Sequence, residues 1–365
     1  MRRACSGLLA ALAVVVGLAG CSGRRPSAGP AAPAASTCPP VAERAWGVHQ
    51  DLGYEPVADR RAKAMDLAAS ALHARISRSS LLWDQVEPAA GRRDWSRYDD
   101  IVSGLRARGV EVLFVLVGSP AWARAGAAGD RFTVPSDEAV FGSWVGDYAD
   151  FAAAAAARYR GRVRWEVWNE PNDDSFWKPA PDPARYARLF TALRAAIRGA
   201  DADASVAVGG LNNLTAAGAN DVPGRAFVRT LAGAGVDLGT VAVHPYPQAQ
   251  RPPLSHVAGE NNLDDVGPFI AELRSLGVAS PNVWVTELGW SHEQVGDDAQ
   301  ARYVGEALTL LRDRYPEVRV GVAFIDHDRP RYPYGLADAE GRLRPAGRVF
   351  AAFMSRATKP VECRA

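Results

Sequence analysis

From about residue 44 onward, short runs rich in β-branched residues take turns with long, Ala-rich amphipathic stretches. That alternation restricts the fold more than any other feature of the chain. The runs fall at residues 44–48, 74–78, 110–117, 163–169, 205–210, 240–244, 283–287 and 318–325, which makes eight candidate strands. Between them, Ser136 precedes an apolar stripe of Phe141, Trp144, Val145, Tyr148 and Phe151 at spacings of three and four, and Asp182-Pro183 reads as an N-cap followed by proline at the first helical position. Further helices are predicted over 56–72, 98–108, 224–234, 264–276, 299–313 and 346–354. Strands joined through helices run parallel, so the class is α/β, and a count of eight favours closure into a (β/α)8 TIM barrel over an open doubly wound sheet. Against the open sheet, no Gly-x-Gly-x-x-Gly follows the first run, and Gly209-Gly210 follows a mid-chain run with no helix start directly behind it.

The leading segment reads differently. Arg2 and Arg3 precede an apolar run over residues 8–19 that ends near Cys21. At ~1.5 Å per residue this run covers about 18 Å, short of a ~30 Å hydrocarbon core, so it reads as an export signal rather than a spanning helix. Leu18-Ala19-Gly20-Cys21 resembles the bacterial lipobox. That resemblance implies a signal peptide over 1–20, a lipidated Cys21 and anchoring on the outer face of the bacterial cytoplasmic membrane. Residues 22–40 hold five prolines and no large apolar side chain, which predicts a semi-extended tether ahead of a folded domain over 41–365. Cys5 leaves with the signal, so Cys38 and Cys363 remain at the two ends of that domain. In an exported protein they are candidates for a disulfide, the alternative being two free thiols. With 42 Lys+Arg against 41 Asp+Glu, the composition excludes a polybasic nucleic-acid-binding protein.

A TIM barrel keeps its chemistry at the C-terminal ends of its strands. There the fourth run ends in Asn169 and Glu170, the sixth in His244 and Tyr246, and the seventh in Glu287. Runs four and seven lie three βα units apart, so across a small barrel mouth their carboxylates can face one another. Facing carboxylates about 5–5.5 Å apart can cleave a glycosidic bond through a covalent intermediate, and at ~6.5–9.5 Å a water fits between them and configuration inverts.

Trp168-Asn169-Glu170-Pro171, His244-Pro245-Tyr246 and Thr286-Glu287-Leu288-Gly289-Trp290 resemble the retaining glycoside hydrolases of clan A. The stretch Ser80–Pro88 with Asp94-Trp95 and Ser119-Pro120-Ala121-Trp122 is similar to family 39 and its family 5 relatives. The resemblance spans nearly the whole domain. It implies a retaining glycosidase acting on a poly- or oligosaccharide by double displacement, with Glu170 as acid/base and Glu287 as nucleophile. It further implies that Asn169 binds the sugar 2-hydroxyl, Tyr246 hydrogen-bonds the nucleophile beside His244, and Arg78 supports the nucleophile's carboxylate. No cofactor is implied, and the partner is a carbohydrate bound by a monomer tethered only through its lipid. A catalytically silent glycan-binding lipoprotein and a transglycosylase are the alternatives.

Two points of tension accompany this reading. Strict alternation along run four puts Glu166, Trp168 and Glu170 on one face and Asn169 on the other, so the strand end must bulge or turn for both Asn169 and Glu170 to reach a sugar. Run eight reads Ala323-Phe324-Ile325-Asp326-His327-Asp328 where many clan A members carry a tryptophan floor, which makes Asp326 a candidate for sugar contacts. Trp122, Trp177 and Trp290 are candidate platforms for sugar faces, or else packing residues, while Trp46, Trp144, Trp165 and Trp284 are expected in the core. Read without the resemblance, His244 could be a core histidine and Arg78 the partner of some other buried acid. The six histidines show no metal-ligand spacing, so no metal site is expected. Serine-hydrolase and phosphate-loop motifs are absent. A folded domain starting near Val41 is longer than the ~250 residues of a typical barrel, and the excess is expected in strand-end loops over 79–96, 118–135 and 171–181.

Overall fold

In the computed structural model, residues 44–125 and 129–357 are described. Eight parallel strands close on themselves in sequence order: β1 (Ala45–His49), β2 (Ile76–Leu82), β3 (Glu111–Val117), β4 (Val163–Asn169), β5 (Val206–Leu211), β6 (Thr240–Val243), β7 (Asn282–Val285) and β8 (Val318–Ala323), with β1 pairing β8. The chain is therefore a TIM barrel, with every expected strand present. The second strand differs in extent: it starts at Ile76 and continues through Ser79, Ser80 and Leu81 to Leu82, all buried, so the loop expected from residue 79 begins inside it. The longest strand-end connections follow β3 (118–137), β6 (244–262) and β8 (324–344), so of the segments expected from sequence only the one after β3 is among them. Cys21, Cys38 and Cys363 lie outside the described residues. Among the described residues, no helix is long and apolar enough to cross a membrane.

Two layers of apolar packing follow from strand alternation. Outward-facing residues such as Val48, Phe114, Trp165 and Val208 meet the surrounding helices in one large cluster. Inward-facing Ala45, Ile76, Leu113, Ala207, Ala242, Trp284, Val320 and Val322 form a separate plug inside the barrel. Every strand except β4 contributes to that plug. The residue of β4 with inward parity is Glu166, and the next inward residue of β2 above Ile76 is Arg78, so the interior changes from apolar to charged toward the strand C-termini.

Helix starts largely follow the sequence signals. Pro183–Ala200 is capped by Asp182, whose carboxylate accepts from the Arg185 amide at 3.0 Å. The helix Glu138–Arg158 is capped by Asp137 rather than Ser136, with Asp137 Oδ1 accepting from the amides of Ala139 and Val140, both at 3.0 Å. Asp137→Ala is expected to cost about 1 kcal/mol in urea unfolding, and Ser136→Ala less than about 0.5 kcal/mol. Equal losses would place the cap wrongly.

Candidate active site

Arg78 enters the barrel from β2 only 1% exposed, and its donors organise the mouth. Nε and Nη2 donate to the two oxygens of Glu166 at 3.2 and 2.8 Å, Nη2 also donates to Asn169 Oδ1 at 2.8 Å, and Nη1 donates to Glu287 Oε1 at 2.6 Å. Both sequence readings of Arg78 therefore hold: it supports Glu287 and it is paired with another buried acid. Nη1 also lies 3.1 Å from His49 Nδ1. A guanidinium has only donors, so His49 Nδ1 accepts and Nε2 carries the hydrogen directed at Asp51 Oδ1, 3.0 Å away.

Glu287 stands two residues beyond the end of β7, and the Tyr246 hydroxyl donates to its second oxygen at 3.0 Å. His244, one residue beyond β6, is buried with Nδ1 2.7 Å from Glu170 Oε1 and Nε2 3.1 Å from Thr286 Oγ1. With the Arg78 Nη2 donor 3.4 Å from Nε2, the ring's hydrogen sits on Nδ1 and points at Glu170. One oxygen of each glutamate and His244 Nδ1 all lie within 4.8 Å of one another.

The tension at strand four resolves in the backbone. Trp168 has φ 71° and Glu170 φ 44°, both left-handed, and the ladder to β5 passes from Val167↔Val208 to Asn169↔Gly210 without pairing Trp168. This irregularity turns Asn169 inward to Arg78 and leaves Glu170 facing His244, while the Trp168 indole donates to the Phe176 carbonyl at 2.7 Å. The neighbouring Gly209-Gly210 pair is what this geometry needs. A Cβ on Gly209 would sit 2.4 Å from the carbonyl oxygens of Val167 and Trp168, and one on Gly210 would sit 2.1 Å from the His244 ring.

Environment drives the two carboxyls apart. Burial pushes Glu287 up, but the His244 imidazole beside it and the charge of Arg78, with His49 and the Tyr246 phenol, outweigh it and hold the carboxyl at about 2. For Glu170, burial pushes the carboxyl up, the negative charge of Glu287 adds to it, and the bond from His244 only partly offsets them. Its Oε1 receives the His244 hydrogen, so Oε2 is left to carry the acidic proton.

Several expected contacts are corrected. Trp177 and Trp290 are 1% and 0% exposed. Trp177 packs against Trp144, Trp168 and Tyr186, and Trp290 packs edge-on to Tyr303 with its indole donating to the Arg251 carbonyl, so neither offers a ring face to a sugar. Trp122 is half-buried, edge-on to Trp83 with its indole bonded to the Glu87 carbonyl, which ties down the loop after β2. Asp326 is fully buried and accepts from Gln50 Nε2 at 2.8 Å and from the His327 amide, so it braces the β8 connection instead of meeting substrate. In place of a tryptophan floor stands half-buried Phe324, 5.1 Å from the His49 ring and 6.4 Å from Tyr246. Sequence reasoning gave no role to His49, Glu166 or Thr286. The signal for Glu166 was its inward parity on β4, below Glu170. Among the described residues Asp173, Asp174 and Asp221 also converge, but the Asp174 amide already donates to Asp221 at 3.0 Å and Asn212 to Asp173 at 2.7 Å.

No family model and no curated protein matches the chain in sequence. Solved structures do. A family 39 glycoside hydrolase from the gut symbiont Bacteroides cellulosilyticus WH2 is similar over 86% of this chain at 25% identity and a TM-score of 0.69; the chain spans 64% of that protein's length. A family 5, subfamily 18 structure from Streptomyces cattleya, in complex with GlcNAc, shares 20% identity over 88% of this chain and 82% of its own, at a TM-score of 0.67. Xylanase 10B from Thermotoga maritima shares 15% identity over 87% of this chain and 96% of its own, at a TM-score of 0.62. The fold is that of the clan A glycoside hydrolases, shared with members of families 39, 5 and 10.

Glu166→Ala is expected to cost about 3–5 kcal/mol in urea unfolding, because it strands a buried guanidinium. Glu166→Gln, which keeps acceptors for Arg78 and the Gly210 amide, should cost clearly less. Near-neutral behaviour of the alanine variant would mean that Arg78 does not depend on Glu166.

Proposed function

We propose that the protein is a retaining glycoside hydrolase with Glu170 as acid/base and Glu287 as nucleophile. The observation that carries this reading is a pair of carboxyl groups with one oxygen of each within 4.8 Å, Glu287 held well below the usual carboxylate range and Glu170 raised by burial. So close an approach fits the ~5–5.5 Å of retaining pairs and not the ~6.5–9.5 Å of inverting ones. Likeness to family 39, 5 and 10 glycoside hydrolases supports the same class.

Each residue then has a stated task. The ion pair with Glu166 offsets the charge of Arg78, so the guanidinium orients Glu287 without quenching it as a nucleophile, and Tyr246 fixes the other oxygen. Glu287 attacks the anomeric carbon while Glu170 Oε2 gives its proton to the departing glycosidic oxygen. Once Glu287 is esterified its charge is gone, Glu170 ionises more readily, and it takes a proton from the water that releases the sugar. Asn169, held by Arg78, faces the sugar beside the nucleophile, and Phe324 supplies an apolar floor.

Glu287→Ala is expected to abolish turnover of an activated aryl glycoside, and added azide should restore it by forming a glycosyl azide of inverted configuration. Undiminished activity in that variant would refute the assignment. The pH dependence of kcat/KM follows from the same shifts. Glu287 must be ionised and is held at about 2, so activity should persist as pH falls through the ordinary carboxylate range. Glu170 must be protonated and its carboxyl is raised, so activity should fall with rising pH only above that range. A decline centred within the ordinary carboxylate range would exclude Glu170 as the acid.

A further inference from the structure

The connections after β1 and β8 rise on the catalytic face, and a cleft of 320 Å³ opens between them, bordered by Asp51, Tyr54, Arg329 and Tyr332. Among the described residues four large hydrophobic side chains are exposed, and two of them, Tyr54 (42%) and Tyr332 (47%), stand on this cleft. Phenol rings kept in water along a cleft, with charged groups between them, present flat apolar faces and polar edges to a ligand that has both. Both rings are also held. The Arg131 guanidinium lies over Tyr54 at 5.6 Å, and Tyr332 meets Phe324 edge to face at 5.6 Å and 88°.

Side-chain contacts lead from the rim of this cleft to the catalytic carboxylates. Tyr332 rests on Phe324, which lies against His49 and Tyr246, and Tyr246 donates to Glu287. Asp51, at the inner edge, takes the hydrogen of His49 Nε2, and His49 in turn receives Arg78. Direction follows from the proton. Glu170 lies at the end of β4, so the leaving group departs on that side, where a cavity of 780 Å³ opens beside Thr133, Asp174 and Lys178. The β1–β8 cleft lies on the other side, with the sugar that stays on Glu287. Glu55 and Arg329 also border a second cavity, of 670 Å³, farther out against the helix Ala58–Asp66.

We infer that the β1–β8 cleft binds a second sugar residue of the glycon, stacked on Tyr332 and Tyr54 with Asp51 accepting from its hydroxyls, so that the protein cuts within a glycan chain rather than removing single terminal sugars. The inference rests on the hydrolase reading above and adds the length and placement of its substrate. Efficiency on matched activated aryl glycosides with one, two and three sugar residues, across a panel of neutral sugars, tests it. The productive diglycoside should exceed its monoglycoside in kcat/KM by about tenfold or more, the scale of one well-packed aromatic stacking contact. Tyr332→Ala and Tyr54→Ala should each lower that ratio about fivefold, chiefly through KM, and Tyr332→Phe should retain it because the ring remains. Equal efficiency on both lengths, a ratio unmoved by either alanine variant, or monosaccharide as the only product from an oligosaccharide would overturn the subsite while leaving the hydrolase standing. Absence of turnover on the whole panel would overturn the hydrolase reading, and this inference with it.

Discussion

The site depends on one buried guanidinium. Taking an arginine out of water costs several kcal/mol unless its charge and its donors are met, and Arg78 is met by Glu166, Asn169, Glu287 and His49. Those partners come from β4, from just past β7 and from β1, so a single side chain on β2 draws together residues from around the barrel mouth. The apolar plug below explains why the pair is tolerated: Glu166 and Arg78 fill the level where Ile76, Leu113 and Ala207 leave off. Glu166 lets that charge be present without being spent wholly on Glu287. The difference between Glu170 and Glu287 follows from position around the same group, since Glu287 touches Arg78 while Glu170 is reached only by an imidazole.

Strand four carries a second constraint. Two left-handed residues at its end cost conformational energy in a tryptophan and a glutamate, and that cost is met by surroundings that allow little else. The Trp168 ring is enclosed by Trp144, Tyr148 and Trp177, its N–H is bonded to a carbonyl, and two consecutive glycines on β5 leave room for the displaced backbone and for His244. The buried tryptophans around the end of β4 are thus the mould that sets Glu170.

This division of labour explains how much could be read from the chain. All eight strands were legible because buried parallel strands announce themselves as β-branched runs, and the gathering of Glu170, Glu287, Tyr246 and His244 at the mouth was legible because barrel chemistry sits at strand ends, whereas Arg78, inside β2, was pointed to only by the resemblance. The fates of Trp122, Trp177 and Trp290 were not, since a loop has no periodicity to say which way a ring points. Nor could the sequence foretell that Asp326 would turn inward to Gln50 and leave Phe324 beside His49. Strict alternation failed at Asn169, and the failure itself marked the strained backbone that the structure contains. The length expected in a loop after β3 is there, but the long connections after β6 and β8 were not foreseen, because hydrophobic pattern locates strands better than it apportions the connections between them.

The connection after β8 is braced apart from the barrel. Asp328 receives the Arg344 guanidinium at 2.9 Å and the Gly335 amide at 2.9 Å and lies 3.3 Å from His292, while short bridges pair His327 with Ala337 and Arg329 with Tyr332. Floor and wall of the cleft, Phe324 and Tyr332, both belong to this one self-supporting segment. Tyr332, which rests on the connection's own Phe324, can be exchanged at less cost to the carboxylates than Phe324, whose ring also lies against His49 and Tyr246.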